Sequence, residues 1–223
     1  MRQTKLLEPT SIIGLNLGKN KLTNEAEQDY IKGLLVFAPL DCIKYFVVNI
    51  SSPNTPNLRN LQNKKEFSNL IDKLIQVKTE HEIAKPLVIK ISSDLNHGQL
   101  KDIANVINKY SKNDFHSKIN GIIISNTTTE RSENLKSDSK LVNEEGGLSG
   151  APLKDKSTST IKEMYKLTNG KIPIIGVGGV FDGKDAYEKI KAGASLVQIY
   201  TSLAYDGPPV VQKIKNELHH LLM

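Results

Sequence analysis

The polar side chains best suited to chemistry lie in residues 45–59, where an apolar run breaks abruptly into Asn, Ser, Pro and Thr. Two prolines in this segment fix φ at their positions, so the loop should be stiff and should hold Asn49, Ser52 and Asn54 in place. A serine hydroxyl is a poor base by its intrinsic acidity. It could take up a proton only with the help of a relay through water. Plain turn chemistry is the alternative interpretation of these three residues.

Lys90 is the next candidate because it is a charged residue inside a predicted strand. With the two-residue period of a strand, Val88 and Lys90 share one face, and the apolar residues beside them share the other. A lysine in that position should meet a negative charge or an electron-rich group. The alternative is a lysine at a sheet edge whose amine reaches past the apolar surface into water.

Two glycine-rich turns could bind phosphate, at residues 146–150 (GGLSG) and 176–179 (GVGG). Without side chains, backbone N–H groups can approach an anion closely, and a following helix adds a favourable dipole. The second turn is not a dinucleotide fingerprint, because Phe181 stands where the last glycine of G-x-G-x-x-G is needed. Glycines that merely permit tight turns are the alternative interpretation of both motifs.

Six repeats of strand, loop and helix must position these residues. The strands are short apolar runs, and the helices have the longer apolar period and polar caps. The predicted strands cover residues 11–15, 45–50, 86–91, 121–125, 172–177 and 194–199. The predicted helices cover residues 23–37 with Thr23 as the cap, 64–80, 96 to the polar run 111–118, 154–168, 183–192 and 208–222. A polar excursion at residues 130–152 has the length of a lid or a binding loop.

Strands that alternate with helices along the whole chain predict a parallel sheet, either open and doubly wound or closed into a barrel. Function spread over the carboxyl ends of every strand is typical of a barrel, whereas an open sheet concentrates it at one crevice. Polar or glycine positions mark the ends of all six strands: Asn16, Asn49, Lys90, Asn126, Gly178-Gly179 and Tyr200-Thr201. We therefore predict an α/β fold, a TIM (β/α)8 barrel with only six of its eight strand–helix units present, in a single domain over residues 1–223.

The composition narrows the choice of partners. The 223 residues carry a formal net charge of +6, which favours anionic ligands such as a phosphate-bearing cofactor. The lysines alternate with acidic residues and form no basic stripe with interleaved aromatics, so no nucleic-acid partner is expected. The five histidines lack metal-ligand spacing, so no metal site is expected either. We find no stretch of ~20 apolar residues and no targeting pattern.

Six motifs, in order and at matching spacing, resemble the dihydroorotate dehydrogenase family in its membrane-associated, quinone-reducing class. They lie at residues 14–20 (GLNLGKN), 48–55 with 58–59, 125–128 (SNTT), 146–150, 173–179 (PIIGVGG) and 192–201 (AGASLVQIYT). The resemblance covers nearly the whole chain. It implies an FMN-containing eight-stranded barrel that oxidises dihydroorotate to orotate in pyrimidine synthesis and then reduces a quinone.

The resemblance also implies roles for individual residues. Ser52 matches the family's base, which takes a proton from the ring carbon beside the carbonyl while hydride passes to the flavin. Soluble relatives use a cysteine in the equivalent loop, so a serine supports the quinone class. The matched substrate-binding residues are Asn49, Asn54, Asn126 and Thr127. The matched FMN-binding residues are Asn16, Asn49, Lys90, Ser125, Gly150, Gly179, Tyr200 and Thr201.

Several family parts have no counterpart in the sequence: the first two barrel strands, the N-terminal helices that meet the membrane and form the quinone tunnel, and the last C-terminal segment. We therefore expect the 223-residue chain by itself to be inactive and to bind FMN poorly. For the whole protein, the resemblance implies peripheral membrane association through the absent segment. The location would be the mitochondrial inner membrane, or the cytoplasmic membrane of a bacterium.

Two alternatives remain for the function. One is a related FMN barrel oxidoreductase that acts on another pyrimidine, as in uracil reduction. The other is a non-catalytic product, truncated or degenerate. The intact set of polar residues argues against degeneration, since unselected drift should have damaged at least one of Asn49, Ser52, Asn54, Lys90 and Asn126.

Overall fold

A computed structural model of the protein describes residues 12–111, 118–133 and 135–223. Its strands form one curled, all-parallel sheet in which each strand pairs with its neighbours in sequence, a partial barrel as predicted. The strands are β1 (Ile13–Leu17), β2 (Ile43–Asn49), β3 (Leu87–Ile91), β4 (Gly121–Ile124), β5 (Ile174–Val177) and β6 (Leu196–Gln198).

Most of the helices lie between successive strands and cover the convex side of the sheet, whereas the last two follow β6, and the final helix packs on the helix that precedes β6. The α-helices are α1 (Ala26–Phe37), α2 (Lys64–Glu80), α3 (His97–Tyr110), α4 (Ser139–Val142), α5 (Lys154–Leu167), α6 (Gly183–Lys191), α7 (Thr201–Asp206) and α8 (Pro209–Leu222). Short 3-10 turns occur at Leu58–Gln62 and Ala151–Leu153.

The two faces of the sheet have different roles. Outward-facing side chains such as Phe46, Ile89 and Ile122 are fully buried in the large core beneath the helices. On the concave face, a smaller apolar cluster of Val47, Val88, Ile123 and Val177 fills the middle of the sheet. By the two-residue period, the inner row continues at the carboxyl end with polar residues, where Asn49 of β2 stands beside Lys90 of β3. The core thus supports a polar rim at one end of the sheet.

Several predicted boundaries agree with the structure. Helix α2 has its predicted bounds. Helix α3 opens with a capping box in which Asn96 Oδ1 accepts a hydrogen bond from the Gln99 backbone N–H at 3.0 Å and Gln99 Oε1 accepts one from the Asn96 N–H. The predicted start of β1 at residue 11, and most of the polar run 111–118, lie outside the described residues.

Other predicted boundaries are wrong. Thr23 does not cap α1, because its backbone N–H closes a turn on the Asn20 carbonyl and the helix begins only after Glu25. Strands β5 and β6 are shorter than the apolar runs that contain them. Helix α7 was not predicted, since its six residues are too few to show a helical period. The excursion at residues 130–152 also contains a short helix, α4.

Candidate active site

A cavity of about 320 Å³ lies at the carboxyl ends of β3 to β6. Its wall combines the last part of β3, the turns after β4 and β5, the 3-10 turn before α5 and the start of α7. Residues that are far apart in the sequence therefore meet at one end of the sheet. Eight of the site residues predicted from the sequence line this cavity: Lys90, Ser125, Asn126, Thr127, Gly150, Gly179, Tyr200 and Thr201.

Lys90 reaches the cavity from β3, an interior strand of the sheet, so the sheet-edge interpretation of this lysine is wrong. Its side chain is partly buried, and burial lowers the pKa of the amine below its ordinary value. Within the described part of the chain, Lys90 Nζ has no hydrogen-bond or ion-pair partner. A cation held in a cavity without a protein partner is suited to an electron-rich group of a ligand.

The glycine turns form the opposite side of the cavity. Gly179 has a φ of +69°, and an added Cβ would stand 2.6 Å from the Lys154 Cβ, so the turn packs directly on the first residue of α5. Gly150, with a φ of +83°, lies beside Thr201, whose Oγ1 donates to Ser149 Oγ at 3.2 Å. Backbone amides that line a cavity next to the N-terminus of a helix can hold a phosphate.

Asn49 and Asn126, at the carboxyl ends of β2 and β4, are joined by side-chain hydrogen bonds. Asn126 Nδ2 donates to Asn49 Oδ1 at 3.2 Å and to Ser51 Oγ at 3.1 Å, and the Ser51 hydroxyl donates to Asn49 Oδ1 at 2.9 Å. The Asn126 Oδ1 is occupied by the Thr127 backbone N–H at 2.8 Å. Asn49 Nδ2 has no hydrogen-bond partner among the described residues, so it is available to a ligand.

Tyr30, which was not predicted from the sequence, supports the Asn49–Asn126 pair through a hydrogen bond to Asn49. It is fully buried in α1, and its hydroxyl donates to the Asn49 carbonyl at 2.8 Å. Burial raises the pKa of Tyr30 well above its ordinary value, so the hydroxyl stays protonated and keeps donating. The hydrogen bond fixes the backbone at the end of β2.

Ser52 lies outside the cavity wall, in the loop that follows β2. Its Oγ accepts a hydrogen bond from the Asn54 backbone N–H at 3.3 Å, which leaves the hydroxyl proton free to donate elsewhere. Asn54 is exposed and lies against the excursion, since an added Cβ at Gly146 would stand 3.5 Å from Asn54 Oδ1. Both residues are therefore on the same rim as the cavity, one loop away from it.

The excursion lies across the loops after β2 and β4. At Gly147 an added Cβ would stand 1.8 Å from Thr127 Oγ1 and 2.9 Å from Pro53 Cγ, so only a glycine fits there. Backbone hydrogen bonds between Thr128 and Leu148 fasten the segment to the end of β4. The first glycine-rich turn thus lies against two of the predicted substrate residues, Asn54 and Thr127, and its last two residues, Ser149 and Gly150, line the cavity.

Asp94, in the loop after β3, is a second residue that the sequence did not reveal. Its carboxylate accepts from Arg59 Nη1 at 2.8 Å, from Lys156 Nζ at 2.9 Å and from the Thr129 N–H at 2.9 Å, and it also bonds the Thr128 hydroxyl. Burial opposes ionisation of Asp94, but these hydrogen bonds outweigh it and hold the pKa of the carboxyl well below its ordinary range. Asp94 thus stays ionised and joins several loops of the rim.

The remaining predicted residues are less tightly held. Asn16 lies within β1 rather than after it, is exposed, and its side chain has no hydrogen bond to the described residues. The Ser125 hydroxyl is buried and lies 3.5 Å from the Val177 carbonyl, at the limit of a hydrogen bond. Tyr200 precedes α7 and is 80% exposed. These positions leave Asn16 apart from the cavity, whereas the other two line it.

Residues 12–111, 118–133 and 135–223 contain no group of three or more His, Cys, Asp or Glu side chains arranged to bind a metal ion. Among the helices of the same residues, each is too short or too polar to cross a bilayer.

Comparison with known proteins identifies the family. The family model described as dihydroorotate dehydrogenase matches residues 2–222. The mouse protein named dihydroorotate dehydrogenase (quinone), mitochondrial, is 49% identical over 99% of this chain and 54% of its own length. A protein named dihydroorotate dehydrogenase (quinone) from Parvibaculum lavamentivorans is 47% identical over 93% of this chain and 56% of its own length.

Solved structures agree with these relatives. The crystal structure of the Eimeria tenella enzyme in complex with ferulenol superposes with a TM-score of 0.85 at 37% identity, covering 97% of this chain and 60% of that chain. The chain spans about half the length of the curated relatives it matches. By the family match, the sequence identity and the shared fold, the chain belongs to the dihydroorotate dehydrogenase family.

Proposed function

We propose that the complete protein carrying this chain oxidises dihydroorotate to orotate with bound FMN and passes the electrons to a quinone, as a step of pyrimidine synthesis. The observation that carries the proposal is the Lys90 amine, which has no partner among the described residues and lies in a cavity lined also by a glycine turn and by Asn126, itself hydrogen-bonded to Asn49. Family membership supports the reaction, and the names of the mouse and bacterial relatives support the quinone.

The residues of the cavity fit FMN. The Lys90 amine would face an electron-rich part of the flavin ring, with Ser125 of the same cavity as a further ring contact. Asn16 and Asn49 lie outside the cavity wall, and the family resemblance adds them as ring contacts in the complete protein. Gly150, Gly179, Tyr200 and Thr201 would surround the phosphate, where the start of α5 adds its dipole. When bound, FMN supplies an acceptor for hydride, and the protein supplies its position and its polar surroundings.

The loops after β2 and β4 would hold the substrate beside the flavin. Asn49, Asn54, Asn126 and Thr127 would hydrogen-bond the carboxylate and ring amides of dihydroorotate. Ser52 would take the proton from the ring carbon beside the carbonyl and pass a proton on through water. The substrate loses this proton and one hydride, and a carbon–carbon double bond forms in the ring. Because Ser52 Oγ accepts its hydrogen bond from the Asn54 N–H, the serine proton is not used in that bond and could pass to water.

The proposed quinone acceptor would bring the complete protein to a membrane. Quinones are apolar and reside in the bilayer, so the complete protein should associate with the mitochondrial inner membrane in a eukaryote or with the cytoplasmic membrane in a bacterium. A relative named as mitochondrial and a bacterial relative of the quinone class support these two locations.

The test is anaerobic mixing of the complete, flavin-loaded protein with dihydroorotate while the flavin absorbance is followed. We expect rapid bleaching by dihydroorotate, no comparable bleaching by dihydrouracil, and reoxidation on addition of a quinone. Comparable bleaching by dihydrouracil would instead favour a related oxidoreductase acting on another pyrimidine. A protein that binds neither flavin nor dihydroorotate would contradict the proposal and favour a non-catalytic product.

A further inference from the structure

We propose that Arg59 and Asp94 are positioning residues, which set the distance between the loop that carries Ser52 and the loop that carries Asn126 and Thr127. The proposal rests on the function proposed above, since it concerns the alignment of a base with a bound substrate. Neither Arg59 nor Asp94 lines the cavity, and both contact the loops that carry the predicted site residues.

The Arg59 guanidinium forms hydrogen bonds with three groups from three different loops. Nε donates to the Ser51 carbonyl at 3.1 Å, Nη2 donates to the Thr127 carbonyl at 3.0 Å, and Nη1 donates to Asp94 Oδ2 at 2.8 Å. Ser51 directly precedes Ser52, and Thr127 directly follows Asn126. Since the guanidinium is planar and rigid, these bonds fix the spacing of the two backbones, which a flexible lysine amine would not do.

Asp94 holds the guanidinium in place from the loop after β3. The carboxylate side chain is only 12% exposed and is ionised, with Arg59 and Lys156 as its ion-pair partners. It also fastens the loop after β4 a second time, through the Thr128 hydroxyl and the Thr129 N–H. The loops that follow three successive strands are thereby tied to one carboxylate, and Lys156 ties it in turn to α5.

The contacts explain why displacement of these residues should act on the chemical step. A shift of ~1 Å in a reacting group can cost about 10²-fold in rate. Among the described residues, neither the Arg59 guanidinium nor the Asp94 carboxylate forms a hydrogen bond or ion pair with the glycine turns or Lys90. Most flavin contacts should therefore be spared, although Thr127, whose carbonyl accepts from Arg59, also lines the cavity. Loss of the hydrogen bonds made by Arg59 and Asp94 should thus lower the rate of flavin reduction without releasing the flavin.

The test compares Arg59→Ala, Arg59→Lys and Asp94→Asn with Lys78→Met in the complete protein. Lys78 is a suitable control because it is fully buried at the far end of the sheet, where its amine donates to the carbonyls of Ile83 and Lys85. Its replacement should destabilise the fold while leaving the rim loops intact. Two measurements are made on each variant: single-turnover flavin reduction by dihydroorotate, and hydrogen exchange of the backbone amides.

We expect all three rim variants to keep their flavin and to reduce it about 10²-fold more slowly, with Arg59→Lys not restoring the rate. Amide exchange should rise in both residues 51–62 and residues 127–130, and should not rise there in Lys78→Met. The proposal is overturned if exchange in these loops is unchanged, if flavin reduction slows no more than in Lys78→Met, or if the rim variants lose their flavin. Should the unmodified protein fail to oxidise dihydroorotate, the proposed function fails, while the exchange data still decide whether the two residues couple the loops.

Discussion

Replacement of Lys90 by methionine should change the stability of the apoprotein and the binding of flavin in opposite directions. The amine lies partly buried in the cavity without a partner among the described residues, and burial already lowers its pKa. Before a ligand binds, this cation is a cost to the folded state. After an electron-rich ligand binds, the same amine makes a charged hydrogen bond that methionine cannot make.

The expected changes in stability and in FMN affinity follow from the surroundings of the Lys90 amine without and with the ligand. A buried polar group without a partner costs ~1–3 kcal/mol, and Lys90 belongs at the low end because its amine borders the open cavity. Lys90→Met should therefore raise the free energy of unfolding of the apoprotein by roughly 1 kcal/mol. A hydrogen bond to a charged group contributes ~1.5–3 kcal/mol, so the dissociation constant for FMN should rise by about 10- to 150-fold.

The assay pairs urea unfolding of the apoprotein with a fluorescence titration of FMN. Lys85→Met is the matched control, because Lys85 lies just before the same strand and donates to the carbonyls of Ala38 and Leu40, both at 2.6 Å. That variant should lose roughly 2 kcal/mol of stability and bind FMN normally. If Lys90→Met destabilises the apoprotein and leaves FMN affinity within about twofold of the original, the assignment of Lys90 to the flavin is wrong.

Three further predictions concern the base, the phosphate turn and two buried lysines. Ser52→Ala should slow flavin reduction by ~10²–10⁴-fold in a rapid-mixing experiment while flavin content stays normal, since Ser52 lies outside the cavity wall; a normal rate at neutral pH would remove Ser52 from its role. Gly179→Ala should cost ~1–3 kcal/mol in urea unfolding and abolish FMN binding, because its φ is +69° and the new Cβ would clash with α5, whereas Gly98→Ala in α3 should leave FMN affinity unchanged. Burial lowers the pKa of Lys78 and of Lys189 to about 8, from 10.5 in the unfolded chain. The unfolded chain therefore binds more protons between these pH values, so the free energy of unfolding should rise from pH 8 to 10.5, by roughly 1.4 kcal/mol per pKa unit for each lysine; replacing both by methionine should flatten the rise, and an unchanged slope would contradict the assignment.

The sequence predicts those parts of the fold that depend on local pattern. The buried strands are continuous apolar runs because helices cover one face and a packed apolar cluster fills the other. The capping box of Asn96 and Gln99 marks the start of α3 because its hydrogen bonds join residues three positions apart. Lys90 could be predicted as a site residue because a charged side chain is unusual inside a buried, apolar strand.

The parts that could not be predicted depend on contacts between distant loops. Asp94 is a single acidic residue in a short polar loop, and nothing near it in the sequence distinguishes it from a surface residue. Its importance arises only when the loops after β2, β3 and β4 meet, which brings Arg59 and Lys156 to its carboxylate from 35 and 62 positions away. Tyr30 was hidden for the same reason, since its hydrogen bond to Asn49 crosses from α1 to β2.

The arrangement of the rim divides the site into two parts with different supports. The cavity wall around Lys90 and Gly179 rests on β3 to β6 and on the start of α5, whereas the loops around Ser52 and Thr127 are joined to each other by Arg59 and Asp94. The Asn49–Asn126 pair lies where the two parts meet. Defects in flavin binding and defects in proton removal should therefore separate between variants of the two parts. Changes at Asn49, Asn126 or Thr127 should produce both defects together, because Asn126 and Thr127 line the cavity and Asn49 is hydrogen-bonded to Asn126.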